Sequence, residues 1–185
     1  MKNYLILSIL ALSSLAFTTS EAERLAEVNR EEGLFLFIDS RPVQSYEILG
    51  YVKKVTGWIK EYDGVKAGLI RKARRKFPES DALIIDFNTW GSNIAEVIRF
   101  TGEKGGAPLG QALEQQGLHV FSDSYPLQEY RTLGSVTKYW SWTREYEEMR
   151  DGLIKKARRA YPEAEAVLLK ARNGVVYEAE VITFE

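Results

Sequence analysis

The stretch LIRKARR, Leu69 to Arg75, returns 84 positions later as LIKKARR, Leu153 to Arg159. The repeat extends outward from it without a gap, so that Gly33 to Phe100 aligns with Gly117 to Phe184, and roughly 30 of the 68 aligned positions are identical. Each copy is a separate record of one supersecondary unit. The architecture can therefore be predicted from two versions of the same pattern.

Within each copy, apolar periodicity predicts two strands, a helix and two more strands. The helix is the clearest element, at about Tyr62–Phe77 and about Arg144–Tyr161, because its apolar residues recur at helical spacing and a proline follows each copy. The sequence therefore predicts an α+β fold: an internal duplication of a ββαββ unit, with two helices packed on β-sheet about a pseudo-two-fold axis.

Three local features refine this prediction. Short polar segments before each unit, Glu23 to Glu32 and Gln111 to Gln116, are expected to be helical and end at a glycine. The Asp-Ser-x-Pro sequences that follow the first strands are typical of turns or strand edges. Gly50 and Gly134 interrupt the second strands, which indicates a bulge or a close backbone approach.

The predicted domain organisation begins with a signal peptide, residues 1–22. Lys2 precedes an apolar stretch from Tyr4 to Phe17, which is too short to span a bilayer, and Ser20-Glu21-Ala22 offers small residues for cleavage. The first repeat is placed at 23–100, a linker at 101–116 and the second repeat at 117–185. We expect an exported protein, periplasmic or secreted, whose mature chain has no transmembrane segment.

The composition excludes several classes of chemistry. Cysteine is absent, which rules out disulfides and a thiol nucleophile, and His119 is the single histidine. A formal net charge of −1 gives no global attraction to nucleic acid. The basic stripe at the end of each helix is interpreted as a solvated face that complements the helix dipole. No cofactor, metal site or nucleic-acid partner is predicted.

A catalytic set is not visible in the pattern. Asp39 and Asp123 repeat, but within one copy no two acidic residues lie at a spacing that presents paired carboxylates. Capping of a turn by each aspartate is the simpler interpretation. A hydrolase acting on a polysaccharide, with Asp39, Asp123 or Glu145 as acid or base, is kept as an alternative.

Aromatic side chains between the second strand and the helix are the predicted ligand or partner surface. Such rings bury a large area at low entropy cost and can anchor a protein or stack on a sugar. Those that occur in both copies could equally be core rings, whereas the unmatched ones are better candidates for exposure. The candidates are Trp58, Tyr62, Trp90, Tyr139, Trp140, Trp142 and Tyr146.

The pattern Tyr130-x-x-Leu133-Gly134-x-Val136, the helix with Leu153-Ile154-x-x-Ala157, and Tyr161-Pro162 followed by an Ala-apolar strand resembles small bacterial ββαββ domains. These are a domain family of unknown function described as heavy-metal-binding, and the outer-membrane stress-sensor lipoproteins of similar fold. The resemblance implies the fold and a role in envelope binding or sensing. No functional residue carries across, because the chain lacks their metal ligands and lipidation site.

The sequence thus favours a non-catalytic binding or sensing module of the cell envelope, which recognises an envelope protein or a small ligand. The polysaccharide hydrolase is one alternative. The other is a structural domain that oligomerises through its sheet edges.

Overall fold

A computed structural model describes residues 24–55, 61–87, 92–102, 107–138, 145–172 and 175–185. These residues form thirteen strands and two helices. The strands are β1 (Leu25–Val28), β2 (Arg30–Glu31), β3 (Leu34–Ile38), β4 (Ser40–Pro42), β5 (Tyr46–Val55), β6 (Ala82–Asp86), β7 (Ser92–Phe100), β8 (Leu109–Gln115), β9 (Leu118–Ser122), β10 (Ser124–Pro126), β11 (Tyr130–Thr137), β12 (Ala166–Arg172) and β13 (Val175–Phe184). The helices are α1 (Tyr62–Lys76) and α2 (Tyr146–Ala160).

The predicted α+β class, a ββαββ duplication with two helices packed about a pseudo-two-fold axis, is wrong. The protein is mostly β, with 55% of the described residues in strands and 22% helical. The thirteen strands belong to one mixed sheet network. The sequence pattern undercounted the strands because several are short and polar, and such strands carry no periodic apolar signal.

The missed strands explain the error. Glu23 to Glu32, expected to be helical, contains β1 and β2, and Gln111 to Gln116 lies largely in β8. Strand β8 also falls inside the segment predicted as a linker. The Asp-Ser-x-Pro sequences do turn the chain at their aspartates, but their next three residues form β4 and β10. Strand β2 pairs with the next strand, β3, while β1, β4, β8 and β10 also pair with distant strands, and this pairing overrides the local tendency.

The central part of the sheet runs in the order β5-β7-β6-β3-β9-β12-β13-β11. Strands β3 and β6 are parallel, as are β9 and β12, while β3 and β9 meet antiparallel through the single pair Ile38 and Ser122. These two residues occupy equivalent positions of the sequence repeat. The two halves of the chain therefore share one sheet.

A second group of strands also joins the two halves. Strand β1 lies between β8 and β10, and β4 pairs with β8, all antiparallel. The first half thus contributes β1 and β4 to pairs whose partners come from the second half. Neither half completes its own hydrogen-bonded ladder here, so the two are interdependent.

One apolar cluster collects residues from both halves. It includes Leu34 and Leu36 of β3, Leu118 and Val120 of β9, and apolar residues of both helices. Leu69, Ile70 and Ala73 of α1, with Leu153, Ile154 and Ala157 of α2, are at most 1% exposed. The apolar helix face predicted from the spacing is confirmed, and both helices end just before the position that precedes a proline.

The prediction of a bulge or a close backbone approach at Gly50 and Gly134 is also confirmed, whereas Gly33 and Gly117 follow strands and not helices. The strand register shifts at Gly50 and at Gly134, as a bulge requires. A side chain at Gly50 would lie 2.5 Å from the ring of Phe77, and one at Gly134 would collide with Tyr161. An aromatic ring therefore covers each of these glycines.

Candidate functional site

Two aspartates at equivalent positions form turns with unusual backbone geometry. Asp39 has φ 48° and Asp123 has φ 47°, in the left-handed region that aspartate tolerates better than most residues. Asp39 directly follows β3 and Asp123 directly follows β9, and these two strands meet at the centre of the sheet. Both carboxylates receive hydrogen bonds from the helix of the other half of the chain.

The Asp39 cluster joins the first turn to α2. Arg150 Nη1 donates to Asp39 Oδ1 at 2.7 Å, and Ser122 Oγ donates to Asp39 Oδ2 at 2.8 Å. The hydroxyl of Tyr146 also donates to Asp39 Oδ2, and lies 2.6 Å from Ser122 Oγ. The Asp39 side chain is only 7% exposed. Both of its oxygens are therefore occupied by donors from the second half.

The Asp123 cluster joins the second turn to α1 in the same way. Tyr62 Oη donates to Asp123 Oδ2 at 2.9 Å, and Lys66 Nζ donates to the same oxygen at 2.6 Å. Lys66 Nζ is also 2.6 Å from Glu31 Oε1 and 3.9 Å from Asp63 Oδ1. This ammonium is 9% exposed and lies among three carboxylates.

The two tyrosines meet at the centre of the molecule. Their ring centroids are 5.1 Å apart, and Phe87 packs on both, 5.0 Å from Tyr62 and 4.7 Å from Tyr146. Burial raises the pKa of each hydroxyl well above its ordinary value, and the nearby aspartate raises it further. Both phenols are therefore neutral donors.

The cations of the two clusters stay charged. Burial alone would lower the pKa of Lys66, but the hydrogen bonds and charges of Asp123 and Glu31 outweigh burial and raise it. The pKa of Arg150 is raised in the same manner, chiefly by Asp39. The arrangement is a set of satisfied ion pairs, which can hold a surface in place.

A groove opens beside each cluster. The larger groove has a volume of about 820 Å³ and the smaller groove about 520 Å³. The larger groove is lined by Asn29, Asp63, Asp123, Ser124, Tyr125, Tyr130, Leu168, Leu169, Lys170, Ala171, Tyr177 and Glu180. The smaller groove is lined by Asp39, Ser40, Arg41, Tyr51, Ile84, Ile85, Asp86, Phe87, Ile94, Glu96, Leu113, Gln115, Tyr146, Glu147 and Arg150.

Substitutions between the two copies make the grooves chemically different. Ala171 stands in the larger groove at the position that Phe87 occupies in the smaller one. Tyr125 in turn replaces Arg41. Phe87 is buried and packs on Tyr62 and Tyr146, whereas Ala171 is exposed.

The structure separates the seven predicted site residues into two sets. Tyr62 and Tyr146 are 3% and 6% exposed and belong to the core cluster. The other five, Trp58, Trp90, Tyr139, Trp140 and Trp142, lie outside the described residues. Sequence reasoning missed the groove tyrosines Tyr125, Tyr130 and Tyr177, because nothing local marks a ring as lining a groove.

The cations Lys66 and Arg150 were also missed as partners of the aspartates. A signal did exist: each follows its tyrosine by four positions, one turn of helix, so that both side chains project from the same face. The pattern Tyr-x-x-x-Lys/Arg occurs at the start of both helices. The hydroxyl and the cation of this pattern can both donate to one carboxylate that packs against the same helix face.

The described residues also bear on metal binding and on membrane spanning. Across the described ranges, no three His, Asp or Glu side chains converge to hold a metal ion. His119 is 7% exposed and its ring lies 6.3 Å from that of Phe184. Neither α1 nor α2 has the length and apolar character needed to cross a bilayer, and no other helix is described.

Comparison of the chain with protein-family models, curated proteins and solved structures finds no match.

Proposed function

We propose that the protein is a non-catalytic binding or sensing module of the cell envelope, which holds a small ligand in the larger groove. The observation that carries this proposal is the fixed wall of that groove. Asp123 is held by Tyr62 and Lys66 from the opposite half of the chain, so the groove is formed before a ligand arrives. Preorganisation of this kind lowers the entropy cost of binding.

The lining of the larger groove also suits a binding role. Ligand sites combine apolar and aromatic walls with a few placed polar groups. Here Leu168 and Leu169 stand beside three tyrosines, four charged side chains and the hydroxyl of Ser124. The volume of about 820 Å³ lies within the range typical of small-molecule sites.

Hydrolysis is less well supported than binding. A general acid or base must exchange a proton with the substrate. The carboxylates of Asp39 and Asp123 are each engaged by a tyrosine hydroxyl and a cation, so their exchange with a substrate would first require those bonds to break. Glu145, the third carboxylate named for the hydrolase alternative, lies directly before α2 as its N-cap residue.

Oligomerisation through the sheet edges is also less well supported. Within the described residues, β5 pairs only with β7, and β11 only with β13. Each of these strands already gives a backbone carbonyl to a helix lysine: Lys72 Nζ donates to Lys53 O at 2.6 Å, and Lys156 Nζ donates to Thr137 O at 2.7 Å. Lysines at an edge discourage the addition of a further strand.

A thermal-shift screen of the purified protein against glycans, nucleotides, lipid-like molecules, amines and divalent metals tests the proposal. A compound at about 100 times its Kd stabilises the fold by roughly 2.7 kcal/mol, which raises Tm by a few degrees. The variant Ala171→Phe places in the larger groove the ring that the smaller groove already has, and should abolish the shift.

The matched control is Ala160→Phe, which adds the same ring at an exposed position at the end of α2 that lines neither groove. It should keep the shift. A compound that stabilises both variants equally would place binding elsewhere, and a screen with no shift would favour a protein partner, for which Tyr139 and Trp140 remain the candidates.

Export is tested separately. Fractionation of the native cell followed by mass spectrometry should find a chain that begins at Glu23 outside the cytoplasm. An intact chain in the cytoplasm would remove the envelope from the proposal.

A further inference from the structure

We infer that the larger groove selects an organic ammonium ion, either a quaternary ammonium or an alkylamine. This inference rests on the proposed function and deepens it by naming the chemical class of the ligand. Charge, aromatic lining and a buried hydroxyl carry it, each from different residues.

The charge of the groove is negative on balance. Asp63, Asp123 and Glu180 line it against a single ammonium, Lys170. Behind the wall of the groove, the ammonium of Lys66 and the carboxylate of Glu31 lie 2.6 Å apart, and their charges cancel in this count. Two carboxylate charges are therefore left without a compensating cation, and a groove with low-dielectric walls concentrates their field on the ligand.

The carboxylates differ in how available they are. Glu180 is held by Lys170 at 2.7 Å and by Thr132 at 2.6 Å, and Asp123 is held by Lys66. Asp63, at the start of α1, is 55% exposed and lies 3.9 Å from Lys66. Asp63 is thus the carboxylate that an incoming cation would meet.

Tyrosine rings supply the second element of ammonium recognition. Tyr125 is 58% exposed, and Tyr130 and Tyr177 are partly exposed along the same groove. The face of a tyrosine ring attracts an ammonium group, which at an exposed site strengthens binding about two- to fivefold. Carboxylates alone would not distinguish an organic cation from an inorganic one, whereas the rings do.

The third element is an unsatisfied hydroxyl. Ser124 lines the groove, is 5% exposed, and its Oγ has no hydrogen-bond partner among the described residues. A buried hydroxyl without a partner is costly. A ligand that approaches the Asp123–Ser124 turn with an N–H or O–H group could satisfy it.

The smaller groove shows why one site, and not two, is expected. There Arg41 stands in place of Tyr125, and Phe87 stands in place of Ala171. Arg41 Nη1 also lies 3.5 Å from Glu96 Oε2 and so presents a guanidinium at that wall. Four carboxylates and two guanidinium groups line the smaller groove, and Ser40 there also has a buried hydroxyl without a partner among the described residues. The two grooves therefore differ not in net charge but at Arg41, which presents a like charge to a cation where the larger groove presents the face of Tyr125.

The test is isothermal titration of the purified protein with choline, with its uncharged isostere in which carbon replaces the ammonium nitrogen, and with spermidine. Choline and spermidine should bind with one site per chain, and the isostere at least tenfold more weakly. Raising the salt concentration to about 0.15 M, where the Debye length is about 8 Å, should weaken both cations.

Variants locate the site. Tyr125→Ala should weaken choline about threefold, and Asp63→Asn should weaken both cations by a similar factor or more. Glu147→Gln, which removes a carboxylate from the equivalent first turn of α2 in the smaller groove, is the matched control for charge. It should leave the affinity within twofold.

The outcomes separate the two proposals. Equal binding of choline and its isostere, or Ca²⁺ binding as tightly as choline, overturns the ammonium inference. A neutral glycan that binds in its place, and is blocked by Ala171→Phe, would leave the proposed function standing. Absence of any groove-dependent binding would overturn both.

Discussion

Tyr62 and Tyr146 stack with their ring centroids 5.1 Å apart, and their hydroxyls point to aspartates on opposite halves of the chain. Tyr62 donates to Asp123 and Tyr146 donates to Asp39. Each tyrosine and the aspartate that it binds belong to different halves of the chain. The contacts between the halves are therefore polar as well as apolar. The groove walls depend on this arrangement.

Removal of the Tyr146 hydroxyl should destabilise the fold more than removal of the Tyr62 hydroxyl. Tyr146→Phe removes the hydroxyl's contacts with both Asp39 and Ser122 and should cost about 2 kcal/mol, whereas Tyr62→Phe removes one hydrogen bond, to Asp123, and should cost about 1 kcal/mol. Urea unfolding with unchanged m-values measures both. Tyr161→Phe, which copies the equivalent Phe77, is the control and should change stability by less than about 0.5 kcal/mol.

Replacement of Asp39 should likewise destabilise the fold more than replacement of Asp123. Asp39→Asn keeps the left-handed turn but leaves Arg150, 13% exposed, with only the exposed Asp151, and should cost about 3 kcal/mol. Asp123→Asn should cost about half as much, since Lys66 retains Glu31. Equal costs in chemical denaturation would contradict this account of the ion pairs. The exposed Asp86→Asn serves as a control with little effect.

Stability should fall in alkali. The pKa of Tyr62 and of Tyr146 is raised by burial first and by the aspartates second, so each proton is held more tightly in the folded state than in the unfolded state. Their contribution is therefore complete below the unfolded value near 10 and declines as pH rises above it, by up to about 1.4 kcal/mol per pH unit for each tyrosine. Lys66, whose pKa is also raised in the fold, acts with the same sign.

Urea unfolding at a series of pH values from neutral to about 11 measures this dependence. The double variant Tyr62→Phe/Tyr146→Phe should lose less stability over the alkaline range than the wild type does. A parallel slope in the two proteins would show that the tyrosines do not carry the effect.

The glycine Gly68 of α1 is covered by a lysine side chain. A Cβ at Gly68 would lie 2.5 Å from Lys54 Cδ, and Lys54 Nζ donates to Gly64 O. In a Lys54→Ala background, Gly68→Ala should therefore stabilise the protein by about 1 kcal/mol through helix propensity. In the wild-type background the gain should be smaller, because the lysine chain must move. A double-mutant cycle measures the difference, and additive effects would contradict the contact.

The local predictions succeeded where neighbouring residues alone decide the conformation. The bounds of α1 and α2 follow from apolar spacing and from the prolines after them, and the bulges at Gly50 and Gly134 follow from glycine in an alternating strand. The predicted helices at Glu23 to Glu32 and Gln111 to Gln116 failed. Part of their backbone pairs with the next strand across a two-residue turn, at Glu32-Gly33 and at Gln116-Gly117, and β1 and β8 also pair with strands far away in the sequence, which no local pattern records.

The candidate site, too, could be predicted from the sequence only in part. The sequence singled out Asp39, Asp123, Tyr62 and Tyr146 because they repeat, but it did not show that each tyrosine serves the aspartate of the other half. That pairing depends on β3 and β9 meeting at Ile38 and Ser122. The groove tyrosines come from three separate strands, β10, β11 and β13, so no single segment of the sequence shows that they line one groove.

The sequence by itself determined the 84-residue repeat, the two helices, the glycine bulges and the absence of cysteine chemistry, because each is a property of a single residue or of a short window. The tertiary structure alone decided that the protein is mostly β, that its halves exchange strands and ion pairs, and that its two grooves differ. Those features depend on which distant strands pair, and pairing is set by the free energy of the whole fold and not by any one segment.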